Sequence, residues 1–141
     1  AAPVRLPAVD IRRVKVRVVS CQDLPQALGS FCDPYVTLTV SRGDLPPPEL
    51  WNSVAPCWRV ETAVRRGNHP VWRQVLDVPY DAELPEPTLV CRVYTVNVVK
   101  PVLYGECSVV LSEASGRHTL RLVASGHATI TLDFPADDAD R

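Results

Sequence analysis

Residues 14–18 read Val-Lys-Val-Arg-Val, in which apolar and basic side chains alternate without interruption. A period of two places the valines on one face and the charged residues on the other, which is the pattern of a half-buried β-strand. Similar strand-like patterns occur at 35–40, 58–64, 71–80, 88–95, 104–111, 118–123 and 128–134. The chain also has 14 prolines among its 141 residues. Because a proline in a helix interior costs about 3 kcal/mol, few windows favour a helix.

Eight short strands separated by turn-rich segments predict an all-β fold, an eight-stranded antiparallel β-sandwich. We expect the domain to cover residues 14–134, with an insertion at 41–57 that contains three consecutive prolines. Residues 1–13 are expected to form a flexible N-terminal segment, and residues 135–141 an acidic, solvated C-terminal tail. The loops at the two ends of the sandwich are where we expect any binding function.

The composition excludes several classes of function. With 15 basic and 16 acidic side chains the formal net charge is -1, which argues against a strongly basic nucleic-acid-binding protein. No apolar run is long enough to span a bilayer. The chain contains no methionine, and we interpret it as a domain of a longer protein. Its five irregularly spaced cysteines favour free thiols in a reducing cytosol over a disulfide framework or a zinc site, and Cys91 and Cys107 lie in apolar runs.

Four features, in register over one domain length, resemble the C2 domain family. The first is residues 14–40, which begin like the family's opening strand and contain Asp-Pro-Tyr-Val at 33–36, where the next strand opens. His-Pro-Val-Trp at 69–72 is similar to the family's Asn-Pro-x-Trp turn, with histidine in place of asparagine. Residues 93–105 resemble the strand, third loop and glycine return, and residues 126–134 the closing strand. The strand order implies the type II topology, as in the cytosolic phospholipase A2 and novel protein kinase C families.

The resemblance raises the question of calcium. Calcium-binding members hold the cation with carboxylates on three loops, because Ca²⁺ takes roughly six to eight oxygen ligands. Carried over residue by residue, the resemblance retains Asp33, but Thr95 and Asn97 stand where third-loop aspartates are expected. We therefore predict no metal site beyond a weak remnant at Asp33 and Asn97, no cofactor and no need for calcium. The Asp33 carboxylate is expected to accept hydrogen bonds from the loop backbone before Tyr35.

The predicted third loop, residues 96–103, is unusually apolar for a loop at the end of a sandwich. In the resembling phospholipases, apolar residues at loop tips enter the bilayer, and burying each Val, Leu or Phe side chain is worth about 1.5–3 kcal/mol. Three alternatives stay open: these side chains cap the core, contact a membrane or contact a protein. The candidate contact residues are Leu28, Phe31, Val98, Val99, Lys100, Val102 and Leu103.

A second candidate surface is basic. The resemblance implies a concave face that binds phosphoinositide headgroups, and the planar guanidinium of arginine suits phosphate. The alternative is a mixed, solvated face, because Glu61 lies among the arginines. The candidate residues, on or between the third and fourth predicted strands, are Arg59, Arg65, Arg66 and Arg73.

The sequence contains no recognisable catalytic motif, so we predict that the chain is not an enzyme. The resemblance implies a non-catalytic C2 module that targets or regulates a larger protein, cytoplasmic and peripheral to the membrane. It would contact membrane phospholipids through apolar loops without calcium. One alternative is a protein–protein interaction module, binding a partner or the rest of its own chain through the same loops or the basic face. The other is a calcium-dependent phospholipid-binding domain. Nucleic acid is not an expected partner.

Overall fold

Eight β-strands form the architecture in the computed structural model, which describes residues 10–25, 32–42, 59–97, 99–123 and 126–135. They are β1 (Ile11–Gln22), β2 (Pro34–Arg42), β3 (Arg59–Glu61), β4 (Val71–Asp81), β5 (Pro87–Thr95), β6 (Val102–Val110), β7 (Gly116–Arg121) and β8 (Thr129–Phe134). The helical structure of the described residues consists of one 3-10 turn at Leu111–Glu113. The predicted all-β fold is confirmed.

The strands form two four-stranded antiparallel sheets that pack as a sandwich. The first sheet has the order β4-β1-β8-β7, and the second sheet has the order β3-β2-β5-β6. Strands β1 and β8 are paired, with Arg17 opposite Asp133 and Cys21 opposite Ile130. Because the first and last strands are neighbours, the same sheets could be formed by a circularly permuted chain. The type II strand order stays a prediction.

The core lies between the two sheets and follows from the period of two. In β1, Val16 and Val18 are fully buried, whereas Lys15 and Arg17 are exposed. The inward side chains of β2, β5 and β8 complete the core in the same way, because alternate residues of a strand share one face. Its fully buried members include Val36, Leu38, Leu89, Val93, Ile130 and Leu132. Each contributes about 1.5–3 kcal/mol by burial.

Several strand bounds differ from the predicted ones, and β6 and β7 each begin two residues earlier than predicted. β1 begins at Ile11, so residues 11–13 belong to a strand and not to the flexible segment. β2 continues to Arg42, two residues into the predicted insertion. β3 ends at Glu61, because the Thr62 hydroxyl accepts a hydrogen bond from the Val36 amide (2.9 Å) in place of a backbone carbonyl. Residues 1–9, 43–58 and 136–141 lie outside the described residues.

A bulge in the β1–β4 pair sets the position of a core tryptophan. The register shifts between Val18, which lies opposite Gln74, and Ser20, which lies opposite Val71. Arg73, inside the bulge, has a positive φ of 50°, an uncommon conformation for an L-residue that bulges tolerate. Trp72 is buried, and its Nε1–H donates to the Ala63 carbonyl (2.7 Å). The hydrogen bond of Trp72, at the edge of the bulge, thus joins β4 to the loop that precedes it.

Candidate functional site

Four connections lie at one end of the sandwich, because all neighbouring strands are antiparallel. Strands β1, β3, β5 and β7 end there, and strands β2, β4, β6 and β8 begin there. Three of these connections, between β1 and β2, β3 and β4, and β5 and β6, carry the predicted site residues. We call residues 23–33 the first loop, residues 62–70 the second loop and residues 96–101 the third loop. Residues 26–31 and 98 are outside the described part, so the predicted contacts of Leu28, Phe31 and Val98 stay predictions.

Backbone hydrogen bonds join the three loops into one frame. The first and second loops are joined twice, by the Leu24 amide to the Asn68 carbonyl (3.0 Å) and by the Gly67 amide to the Cys32 carbonyl (2.8 Å). The first and third loops are joined by the Val96 amide to the Asp33 carbonyl (3.1 Å). Gly67 has a φ of 93°, which glycine adopts without steric cost. The described ends of the loops are therefore held in place before any ligand binds.

The histidine that replaces asparagine in the His-Pro-Val-Trp turn also joins two loops. The Asp23 amide donates to His69 Nδ1 (3.2 Å), and the same ring nitrogen lies 3.1 Å from Oε1 of Gln22 at the end of β1. Pro70 is buried next to it, and its carbonyl accepts from the Cys21 amide (3.0 Å). His69 thus orders the end of β1, where Asp23 has a positive φ of 59°.

Asp33, the carboxylate that the resemblance places in a calcium site, is paired with a cation of the protein. Its Oδ1 lies 3.9 Å from Nε of Arg66 in the second loop. Among the described residues this carboxylate therefore contacts a guanidinium. The predicted hydrogen bonds from the loop backbone before Tyr35 fall mostly on residues 26–31, outside the described part, and stay a prediction. The Asp33 amide donates to the Thr95 hydroxyl (3.1 Å). Thr95 stands where the resemblance places the first aspartate of the third loop, and its hydroxyl joins the end of β5 to the first loop.

The remaining polar groups at this end form no evident metal site. Asp23 is well exposed, with its Oδ1 3.9 Å from His69 Nδ1, and Asn97 is exposed in the third loop. Across the described residues, no group of three or more His, Cys, Asp or Glu side chains is placed to hold a metal ion. Beneath the loops, burial raises the pKa of Tyr104 to about 12, so this phenol is neutral at physiological pH.

The same end exposes a set of apolar side chains, which we call the rim. Val99 is 89% exposed, so for this residue the alternative that it caps the core is wrong. The structure places Val102 and Leu103 in β6 and not in the loop, yet both are exposed. Lys100, next to Val99, is exposed as well. The rim consists of Val64, Val96, Val99, Val102 and Leu103.

The four candidate arginines are divided among three elements. Arg59 belongs to β3 of the second sheet, and its Nη2 lies 3.7 Å from Oε2 of Glu61. Arg73 belongs to β4 of the first sheet. Arg65 and Arg66 are neighbours in the second loop. The Arg65 side chain donates to the carbonyls of Val71 (3.3 Å) and Val64 (3.4 Å), which keeps its guanidinium at the loop. Arg65 and Arg66 are therefore the two candidates that share a loop with a residue of the exposed apolar set, Val64.

A further group of cations, which the sequence analysis did not single out, lies on the outer face of the first sheet. Alternation within β1 and β7 sends these side chains outward, and strand pairing places the two sets on either side of β8. Asp133 is shared between two of them, Arg17 (3.8 Å) and Arg117 (3.7 Å). The signal was present in the alternation at 13–17. The group consists of Arg13, Lys15, Arg17, Arg117 and Arg121.

No helix in the described residues is long and apolar enough to cross a bilayer.

Comparison with known proteins identifies the family. The family model of the C2 domain matches residues 12–124. Among solved structures, human GIVD cytosolic phospholipase A2 is similar with a TM-score of 0.68 and 22% identity, over 90% of this chain and 16% of that chain. The same protein with a fluorophosphonate inhibitor and terbium chloride gives a TM-score of 0.66 and 22% identity, over 91% of this chain and 17% of that chain.

A second similar structure is the C2A domain of plant Extended Synaptotagmin 1, with a TM-score of 0.63 and 20% identity. It is matched over its whole length by 94% of this chain. The chain spans about a sixth of the phospholipase chains, and no curated protein matches it. At these identities the structural similarity shows the fold, and the family model covers most of the chain. The chain therefore belongs to the C2 domain family.

Proposed function

We propose that this C2 domain contacts phospholipid membranes through its rim, without calcium, and so brings a larger protein to the membrane surface. The observation that carries the proposal is the exposure of Val99 beside Val102, Leu103 and Lys100 at one end of the sandwich. Exposed apolar side chains gathered at one end of a domain mark an interaction site. C2 domains commonly bind membrane phospholipids or proteins, which makes the bilayer the first candidate.

The magnitudes suit a peripheral, reversible contact. Three side chains entering the bilayer, at about 1.5–3 kcal/mol each, supply about 5–8 kcal/mol before ordering costs. That corresponds to a Kd from about 100 μM to the low micromolar range. Lys100 and Arg65 add about 1 kcal/mol per charge against anionic lipid, whereas Asp33 offsets the charge of Arg66. Arg65 is thus the part of the predicted basic surface that contributes, because it follows Val64 of the rim in the second loop.

The proposal needs no calcium, because groups of the protein itself contact the residues at the positions where calcium ligands are expected. Arg66 neutralises Asp33, and the hydroxyl of Thr95 accepts from the Asp33 amide. A single paired carboxylate and the amide of Asn97 fall well short of the oxygen donors that Ca²⁺ requires.

Binding to anionic vesicles will be the same with calcium and with a chelator. The measurement is co-sedimentation of the full chain with vesicles of phosphatidylcholine and phosphatidylserine, in both conditions. Terbium provides a second probe, since lanthanide ions occupy calcium sites and are sensitised by nearby aromatic side chains; we expect no saturable luminescence. Binding that appears only with calcium, or a tight terbium site, would establish the calcium-dependent alternative.

Replacing Asp33 by asparagine will leave vesicle binding intact or strengthen it up to about fivefold. The change removes one negative charge beside Arg66, and each charge near an anionic surface is worth about 1 kcal/mol. The free energy of unfolding will change by less than about 1 kcal/mol, as for other exposed ion pairs. Asp23→Asn, at the same end, is the matched control. Loss of vesicle binding in D33N alone would show that Asp33 takes part in a cation site.

Protein binding through the same rim is the second candidate function. Protein binding is favoured if the chain binds neither neutral nor anionic vesicles, while substitutions in the rim abolish capture of a purified partner. In that case the rim is an interface and the membrane proposal fails.

A further inference from the structure

Two cysteines lie opposite each other in the second sheet. Cys91 of β5 is paired with Cys107 of β6, and directly opposite residues of antiparallel strands point to the same face. Opposite residues have Cα atoms about 4.5–5.5 Å apart, which falls inside the range of about 4.4–6.8 Å that disulfides span. Both are free thiols in this structure.

The two thiols differ in their access to solvent. Cys91 is 1% exposed in the core, whereas Cys107 is half-buried on β6, the last strand of the second sheet. A reagent in solution therefore reaches Cys107 first. Cys21 is also close enough to both to interact electrostatically, but it belongs to the first sheet. Since packed sheets lie about 10 Å apart, Cys91 is the better placed partner for Cys107.

We propose that Cys91 and Cys107 form a thiol oxidation site, which a hydroperoxide converts into a cross-strand disulfide. The Cys107 thiolate attacks the peroxide, the O–O bond breaks, and Cys107 becomes a sulfenic acid with release of water or an alcohol. Cys91 then attacks the Cys107 sulfur as a thiolate, the S–O bond breaks, and the oxygen leaves as water with the thiol proton. In total the two thiols lose two protons and two electrons, and the peroxide accepts them.

The surroundings of the pair support this order of events. The side-chain contact with Cys107, followed by burial, raises the pKa of Cys91 well above its ordinary value, so Cys91 is protonated in the reduced pair and the first attack on the peroxide falls to Cys107. Burial also raises the pKa of Cys21, which keeps this third thiol unreactive. The disulfide would join β5 and β6 beside the register shift at Val93 and Tyr94, where the two strands approach the third loop.

Treatment of the full chain with hydrogen peroxide, followed by alkylation and tryptic mapping, tests the site. Cleavage after Arg92 separates the two cysteines, so a disulfide is seen as two joined peptides, 74–92 and 93–117. We expect this product within the monomer, loss of two of the five thiols, and full recovery on reduction with dithiothreitol. Cys32→Ala, a buried cysteine outside the pair, should oxidise like the unchanged chain. In Cys107→Ala, Cys91 should stay reduced.

Three results would overturn the proposal. They are a Cys107 that proceeds to sulfinic acid while Cys91 stays reduced, a disulfide that joins either cysteine to a different one, and a pair that resists peroxide until the chain unfolds. The peptide map of the unchanged chain decides by itself if the Cys107→Ala variant fails to fold.

Discussion

Replacing Val99 and Leu103 together by serine will reduce vesicle affinity by about 30-fold to 1,000-fold, which leaves little detectable binding. The double change removes about 2–4 kcal/mol of apolar transfer energy from the rim, more from Val99 because its side chain is the more exposed of the two. Both side chains are exposed in the unbound protein, so the free energy of unfolding should change by no more than about 0.5 kcal/mol per site. Co-sedimentation with phosphatidylcholine–phosphatidylserine vesicles measures the affinity.

Val75→Ser is the matched control for the rim variant. Val75 is an exposed valine on the outer face of β4, opposite Arg17 and away from the three loops. Its replacement should leave vesicle binding within about twofold, because that face does not meet the bilayer in our proposal. Equal losses in both variants would mean that the contact is not made by the rim, and unchanged binding in the double variant would end the membrane proposal.

Replacing Trp72 by alanine will destabilise the fold by about 3–5 kcal/mol. Trp72 is buried in the core, and its Nε1–H satisfies the Ala63 carbonyl at the start of the second loop. A domain of this size has a stability of about 5–15 kcal/mol, so this one change removes a large share of it. Urea denaturation measures the loss directly, and the melting temperature should fall by roughly 10–20 °C.

Trp72→Phe separates the two contributions of this residue. Phenylalanine keeps much of the ring packing but cannot donate to the Ala63 carbonyl. We expect the free energy of unfolding to fall by about 1–2 kcal/mol because the hydrogen bond is lost, and to fall further because the ring is smaller. A loss below about 1 kcal/mol in Trp72→Ala would contradict the position of Trp72 in the core.

The strands were predictable because each depends on consecutive residues. In β1, the alternation of valines with Lys15 and Arg17 over residues 14–18 defines the strand without reference to any other segment, and the same kind of alternation defines β8. The ends of strands were less predictable. β3 stops at Glu61 because the Thr62 side chain bonds to Val36 of another strand, a contact that local alternation does not contain.

The candidate site was predictable only in part. The apolar character of the third loop could be seen in the sequence, and the exposure of Val99 follows from its place at a strand connection. The pairing of Asp33 with Arg66 could not be seen, because the two residues are far apart in sequence and meet only where the first and second loops come together. The cations of β1 and β7 were likewise visible one strand at a time, but not as a group.

The sequence by itself determined the fold class, the inward and outward face of each strand, and the shortage of carboxylates in the loops, since these are properties of residue type and short-range order. Tertiary structure decided which groups meet. It set Arg66 against Asp33, His69 against Asp23 and Cys91 against Cys107, because strand order brings together loops and strands that are distant along the chain. The local period of two is the same for many strand orders, and only the pairing of the strands selects one set of neighbours.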